Sequence, residues 1–190
     1  LGRLIMLYGI DVSNTDSEQA DPPMEGYSSS AALSEISGGL AETVIKSLFS
    51  VRYKKEPDKQ YIKKLRTGGS FRETSIRTDD KEITVAVVDG LTGLEKLKAS
   101  ADTGKKYDLV EVMVCPGGCI NGAGMPFRNQ KDDRKNQIRM IYQADENSAI
   151  DLPERSPVMI NLNGKLIKEN SEIADKKIFH THYVKRNVLL

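Results

Sequence analysis

Only two cysteines and two histidines occur in these 190 residues, and neither sign of charge dominates, since 28 basic side chains stand against 27 acidic ones for a net charge of +1. Two cysteines are too few for the framework of a stapled secreted domain, and too few to complete a four-donor metal site from thiolates alone. The charge balance lacks the basic footprint that nucleic acid or an anionic membrane surface would call for. No apolar run approaches the length of a membrane span. The two histidines, His180 and His182, alternate near the end of the chain. In an extended segment they point to opposite sides, and a pair does not make a metal site by itself. A hydrophobic content of 38% is enough to bury one core, so residues 1–190 are read as a single α/β domain.

What is there is concentrated in one place. Cys115-Pro116-Gly117-Gly118-Cys119 follows directly on Val110-Glu111-Val112-Met113-Val114. The β-branched and apolar run from Asp108 to Val114 predicts a short buried strand that delivers both thiols to its C-terminal end, where open α/β sheets usually hold their ligands. Gly117, Gly118, Gly122 and Gly124 leave the backbone free to take positive φ and to approach a bulky inorganic group. Backbone N–H groups in such a loop offset thiolate charge and tune an iron–sulfur cluster. Set against this are a disulfide across a short loop and a pair of inert thiols, which the CxxxC spacing also allows.

The remaining pattern predicts a small mixed, partly parallel sheet flanked by helices. Residues 13 to 30 are polar, contain Pro22-Pro23 and read as a long surface loop. Leu40, Val44, Ile45, Leu48 and Phe49 recur at helical spacing and predict a buried helix face, with Ser37 as its N-cap. Arg52 to Arg66 is strongly basic, which reads as a solvated face or, alternatively, as a docking patch for an electron carrier. Phe71–Arg77 and Ile83–Val88 form a predicted hairpin, and a helix around Leu94–Lys98 returns the chain to the cysteine strand as a parallel crossover. The charged segment from Asn129 to Asn147 carries Ile138, Ile141 and Tyr142 as the stripe of an amphipathic helix.

The segment Val110 to Gly122 resembles the third cysteine motif of the iron-only (FeFe) hydrogenases, E-x-M-x-C-P-x-G-C-x-N-G-G-G-Q-P. Ser37-Gly38-Gly39-Leu40-Ala41-Glu42 is similar to that family's S/T-G-G-V-x-E helix start, and His180-Thr181-His182-Tyr183 to its C-terminal H-T-H-Y. The resemblance implies the C-terminal lobe of a hydrogenase catalytic domain whose upstream half is absent from this chain. It implies that Cys115 ligates a 4Fe-4S cluster and that Cys119 bridges this cluster to the two-iron subsite, the two together forming the H-cluster. Met113 would pack beside the two-iron subsite, and Gly38 and Gly39 would line the pocket for its diatomic ligands; Gly117, Gly118 and Gly122 belong to the cofactor loop.

The implied activity is reversible reduction of protons to hydrogen, with an electron carrier such as ferredoxin and the missing N-terminal half as partners, in the cytoplasm. No catalytic residue of the family falls within the chain, and the piece alone is expected to be inactive and to hold no cluster. Two departures stand out. The family's other cluster cysteines lie in upstream motifs absent here, and Gly122-Ala123-Gly124-Met125-Pro126 replaces the family's G-G-G-Q-P, putting a thioether where a hydrogen-bonding amide is usual. A hydrogen sensor or a Nar1-like cytosolic iron–sulfur assembly factor is the alternative reading.

Overall fold

A computed structural model describes residues 1–19, 27–66, 68–125, 131–162, 164 and 183–184, without the side chains of 131–133. The sheet begins with β1 (Phe71–Arg77) and β2 (Glu82–Asp89), paired antiparallel with Ile76 opposite Ile83 and Arg72 opposite Val87. The tight return between them is closed by the Thr78 N–H donating to the Lys81 carbonyl at 2.8 Å. The chain then crosses through α5 (Thr92–Asp102) to β3 (Leu109–Met113), which lies parallel to β2 with Glu111 opposite Val87 and Met113 opposite Asp89. The predicted hairpin and parallel crossover are both present, in the order β1-β2-β3.

Period-two alternation gives the sheet two faces. One carries Ile76, Ile83, Val85 and Val87 against Ala41, Ile45 and Phe49 of α3 (Gly39–Leu48) and its π-helical extension Phe49–Tyr53, and against Ile62 and Leu65 of α4 (Lys59–Arg66). Burying each such aliphatic side chain contributes roughly 1.5–3 kcal/mol, so this layer is the main source of stability. The opposite face packs on α5. There Gly93 fits because a Cβ would meet the Ser70 carbonyl and come within 2.9 Å of a Val88 methyl. A second cluster joins Leu33 of α2 (Ser30–Leu33), Ile36 and Ile120 to Ile138, Ile141 and Tyr142 of α6 (Lys131–Glu146), the stripe that the sequence marks as apolar.

Three expectations are corrected. Leu40 and Val44 are exposed, because the buried face of α3 follows the i, i+4 row Ala41, Ile45, Phe49 instead. Ser37 is not the cap of α3: that position is Gly38, with φ +94°. The cysteine strand is not buried on both sides. Among the described residues it is the edge of the sheet, α5 packs chiefly on β1 and β2, and Val110 and Val112 are 39% and 45% exposed while the polar Glu111 between them is buried.

Short elements complete the chain: α1 (Gly2–Leu7), which buries no side chain, a 3-10 turn at Pro153–Arg155 and α7 (Pro157–Leu162). Among the described residues no helix is long and apolar enough to cross a membrane. Part of the polar loop after the first helix, and both His180 and His182, lie outside the described residues.

Candidate functional site

The CPGGC loop leaves β3 at Val114 and is folded back onto the turn that precedes α3. Gly117 and Gly118 have φ of +87° and +94°, a region that favours glycine. At Gly118 the second constraint is steric, since a Cβ there would collide with the Glu35 carbonyl oxygen and lie 2.9 Å from Ile36 Cα. The backbones are stitched together: Ser37 N–H donates to the Gly117 carbonyl at 3.2 Å, and Ile36 and Gly118 form an isolated antiparallel bridge. Residues 117–118 of the cysteine motif and residues 35–38, which lead into the Ser37–Glu42 motif, thus form one structural unit.

Both thiols are free, Cys115 half-buried and Cys119 exposed at the start of the short 3-10 turn Cys119–Asn121. The chain does not link them as a disulfide. Met113 is half-buried at the end of β3, its carbonyl accepting from Gly90 N–H at 2.7 Å. Gly39 packs against the Leu33 carbonyl so closely that no Cβ fits, which makes it a close-approach residue of the α2–α3 turn.

The loop's backbone donors are not idle. Gly117 N–H donates to the Asp89 carboxylate, Gly118 N–H to the Cys115 carbonyl at 2.9 Å, and Gly122 N–H to the Cys119 carbonyl at 2.9 Å. The head of α3 is equally occupied: Gly38 N–H and Ala41 N–H donate to the two oxygens of Glu111 at 2.6 and 2.7 Å. Of the amides that a glycine loop and a helix N-terminus promise, those of Gly117, Gly38 and Ala41 are therefore held by acidic side chains of the protein's own sheet, and those of Gly118 and Gly122 by carbonyls of the loop itself. A carboxylate at a helix start is favoured by the helix dipole as well as by the unpaired N–H groups.

Sequence reasoning missed this acidic layer. Glu111, Asp89 and Arg72 all sit on the α3-facing side of the sheet, one per strand, and Arg72 is only 8% exposed. Arg72 donates to Ser37 Oγ at 2.8 Å and approaches Asp89 at 3.7 Å. Burial pushes the Glu111 carboxyl above its ordinary range, opposed by the Gly38 and Ala41 amides and by the charge of Arg72. The signal available was the parity of the strands, which puts Arg72, Val87 and Glu111 in one cross-sheet row.

A second charged cluster lies farther along α3. Glu42, fully buried, accepts from Arg66 Nε and Nη2 at 2.7 and 2.6 Å and pairs with Lys46 at 2.7 Å. Lys46 also reaches Asp145, and Arg66 stacks on the Tyr142 ring at 4.1 Å. Burial and the Glu42 charge push the Tyr142 phenol up to about 12. Part of the basic run is engaged in ion pairs: Arg52 with Asp80, Lys55 with Asp79, Arg66 with Glu42.

Two thiolates and a thioether suit a soft metal or an iron–sulfur cluster. Two thiols are half the number of donors that a closed four-ligand site takes. Among the described residues no group of three or more His, Cys, Asp or Glu side chains converges as a metal cage.

Comparison with known proteins agrees with this fold. The NADP-reducing hydrogenase subunit HndD of Solidesulfovibrio fructosivorans is 24% identical over 190 residues, 100% of this chain and 32% of that protein. A probable cytosolic Fe-S cluster assembly factor of Drosophila persimilis is 31% identical over 158 residues, 78% of this chain and 31% of that protein. The HydA1 FeFe-hydrogenase of Chlamydomonas reinhardtii superposes with a TM-score of 0.68 at 22% identity, covering 96% of this chain and 53% of that structure, a likeness of fold. The chain thus spans about a third of the length of these curated relatives. The family model described as "Iron only hydrogenase large subunit, C-terminal domain" matches residues 1–123, which include the α3 turn, the sheet and the whole CPGGC loop, and the chain belongs to that family.

Proposed function

We propose that the chain is the C-terminal lobe of a hydrogenase-type catalytic domain, contributing two of the four thiolates of an H-cluster. Cys115 ligates the 4Fe-4S cluster and Cys119 bridges it to the two-iron subsite. When bound, that cofactor supplies reversible reduction of protons to hydrogen. The chain's own residues hold the loop that presents the thiols: Glu111 fixes the Gly38-Gly39 turn, and Gly117 and Gly118 give the loop its reversal. Met113, Gly38, Gly39 and Gly122 line the cofactor. The observation that carries this reading is a pair of free thiols on a glycine loop at the carboxyl end of a parallel strand, within the matched residues.

The partner is the rest of the catalytic domain, which packs over the open face of β3 at Val110, Val112 and Val114 and brings the other ligands. Electrons come from a ferredoxin-like carrier. The decisive experiment is anaerobic maturation of the complete protein followed by infrared spectroscopy: bands of iron-bound CO and cyanide support the H-cluster, and their absence after full maturation overturns it. The 190-residue chain alone should take up no stoichiometric four-iron cluster on reconstitution.

A second reading, a non-catalytic assembly factor or sensor, is favoured by Ala123 and Met125 in place of the family's glycine and glutamine and by similarity to cytosolic assembly factors. It predicts a stable 4Fe-4S cluster in the complete protein without those infrared bands.

A further inference from the structure

Four residues close a ring around the peptide units of the CPGGC loop. Arg72 Nη2 donates to Ser37 Oγ at 2.8 Å, Ser37 N–H donates to the Gly117 carbonyl at 3.2 Å, Gly117 N–H donates to Asp89 Oδ1, and Asp89 Oδ2 lies 3.7 Å from Arg72 Nη1. Both the donor and the acceptor of Gly117 are engaged, one by the end of β2 and one by the turn before α3. We propose that Arg72 and Asp89 are positioning residues that clamp the Gly117 peptide and so fix the direction in which Cys115 and Cys119 present their sulfurs.

Three features support a clamp instead of incidental packing. Arg72 is buried on β1, where alternation would otherwise place an aliphatic side chain beside Ile76 and Val87, so a guanidinium there needs a specific acceptor. Ser37 Oγ supplies it at 2.8 Å, with the Asp89 carboxylate 3.7 Å away as the countercharge, and Asp89 lies beside Met113, two residues before Cys115, in the parallel register. Gly117 at φ +87° and Gly118 at +94° adopt a conformation that glycine reaches without strain but does not hold uniquely, so the bonds to Asp89 and Ser37 select it among the alternatives. A hydrogen bond from an amide to an ionised carboxylate is among the stronger ones available, and it brings a negative charge onto the loop peptide two residues from each cysteine, where it would oppose added electrons.

The clamp is testable on the 190-residue chain without any cluster. Amide hydrogen exchange under reducing, anaerobic conditions should show Gly117 protected in the wild type. Asp89→Ala should raise its exchange by about 10- to 100-fold, as expected for loss of a charge-assisted bond. Asp89→Asn keeps an acceptor and should restore most of the protection, and Arg72→Met should raise exchange at Gly117 while β2 amides such as Val85 stay protected. Unchanged exchange at Gly117 in Asp89→Ala overturns the clamp. If that variant loosens the whole sheet, Arg72→Met decides in its place: no increase at Gly117 there also overturns it.

The link from clamp to cofactor rests on the proposed cluster ligation and is read separately. In the complete, cluster-bearing protein, Asp89→Asn should raise the reduction potential at unchanged iron content, and an unchanged potential overturns the link. Failure of the complete protein to bind iron refutes the ligation reading and leaves the exchange result standing.

Discussion

Glu111 on β3 and Gly38 at the head of α3 are 73 residues apart in the chain, yet the Gly38 amide donates to the Glu111 carboxylate at 2.6 Å, and the second oxygen takes Ala41 N–H at 2.7 Å. One side chain thereby joins the strand that leads to the cysteines to the turn that backs their loop. Removing it strands two buried donors, each costing about 1–3 kcal/mol. Glu111→Ala should lower unfolding free energy by about 3 kcal/mol, and Glu111→Gln, which keeps one acceptor, by about half as much, measured by urea denaturation. Equal stability of Glu111→Ala and wild type would show that the bond contributes nothing.

Glu42 presents the converse case, an anion buried between cations. Its carboxylate holds Arg66 with two hydrogen bonds and pairs with Lys46. Deleting one partner of such a group leaves uncompensated charge, typically a loss of 3–5 kcal/mol for fully buried pairs. Arg66 is one-fifth exposed and Lys46 about one-quarter, so water recovers part of the loss. Glu42→Ala should cost about 2–3 kcal/mol, and the double variant with Arg66→Ala less than the sum. Additive losses in that cycle would mean the two side chains are not coupled.

How much of this was legible beforehand depended on the range of the interaction. The hairpin, the crossover and the placement of the thiols follow from alternation, glycine position and local spacing, and all three are present. The polarity of β3 was not legible. A run reading Val110-Glu111-Val112 suggests buried valines and a solvated glutamate, whereas the strand stands at the sheet edge with Glu111 turned inward to amides contributed by residues 38 and 41. Ser37 likewise matched a cap by local rule, but its hydroxyl is recruited by Arg72 from β1. Where partners lie tens of residues away, composition around the site says nothing about them.

Asp80 offers a pH test with a defined sign. The Tyr53 and Thr78 hydroxyls donate to it and Arg52 lies beside it, and they hold its carboxyl at about 2, below the ordinary 3.8. A depressed folded value means that the contribution is present above pH 3.8 and is lost as pH falls through about 2. Asp80→Asn should therefore flatten the wild-type decline in stability between these values and leave the profile from pH 5 to 7 parallel. A carboxyl titrating at its ordinary value in a pH series of NMR spectra would refute the arrangement.

Glycines of the cysteine loop should differ sharply in tolerance. Gly118 and Gly124 share positive φ, +94° and +97°, but a Cβ at Gly118 meets backbone of residues 35–37, whereas at Gly124 nothing lies within 4 Å. Gly124→Ala should cost about 1 kcal/mol, the penalty of a left-handed backbone alone. Gly118→Ala must also push two chain segments apart and should cost about 3 kcal/mol or more. Comparable thermal unfolding of the two variants would show that the loop is not seated on the α3 turn.

Val110 and Val112 lie on the face of β3 that α5 leaves open. Edge strands with exposed apolar side chains invite a covering partner, and in the proposed function that partner is the remainder of the catalytic domain. Replacing both with threonine preserves β-branching and removes little buried surface, so the 190-residue chain should change in stability by less than about 1 kcal/mol. In the complete protein the same pair of hydroxyls would be buried at the contact between halves, each without an assured acceptor, and the double variant should unfold at lower denaturant than its parent. The comparison isolates the contact, because a loss in the chain alone would trace to β3 itself. An equally small effect in both forms would show that the open face is not where the rest of the domain packs.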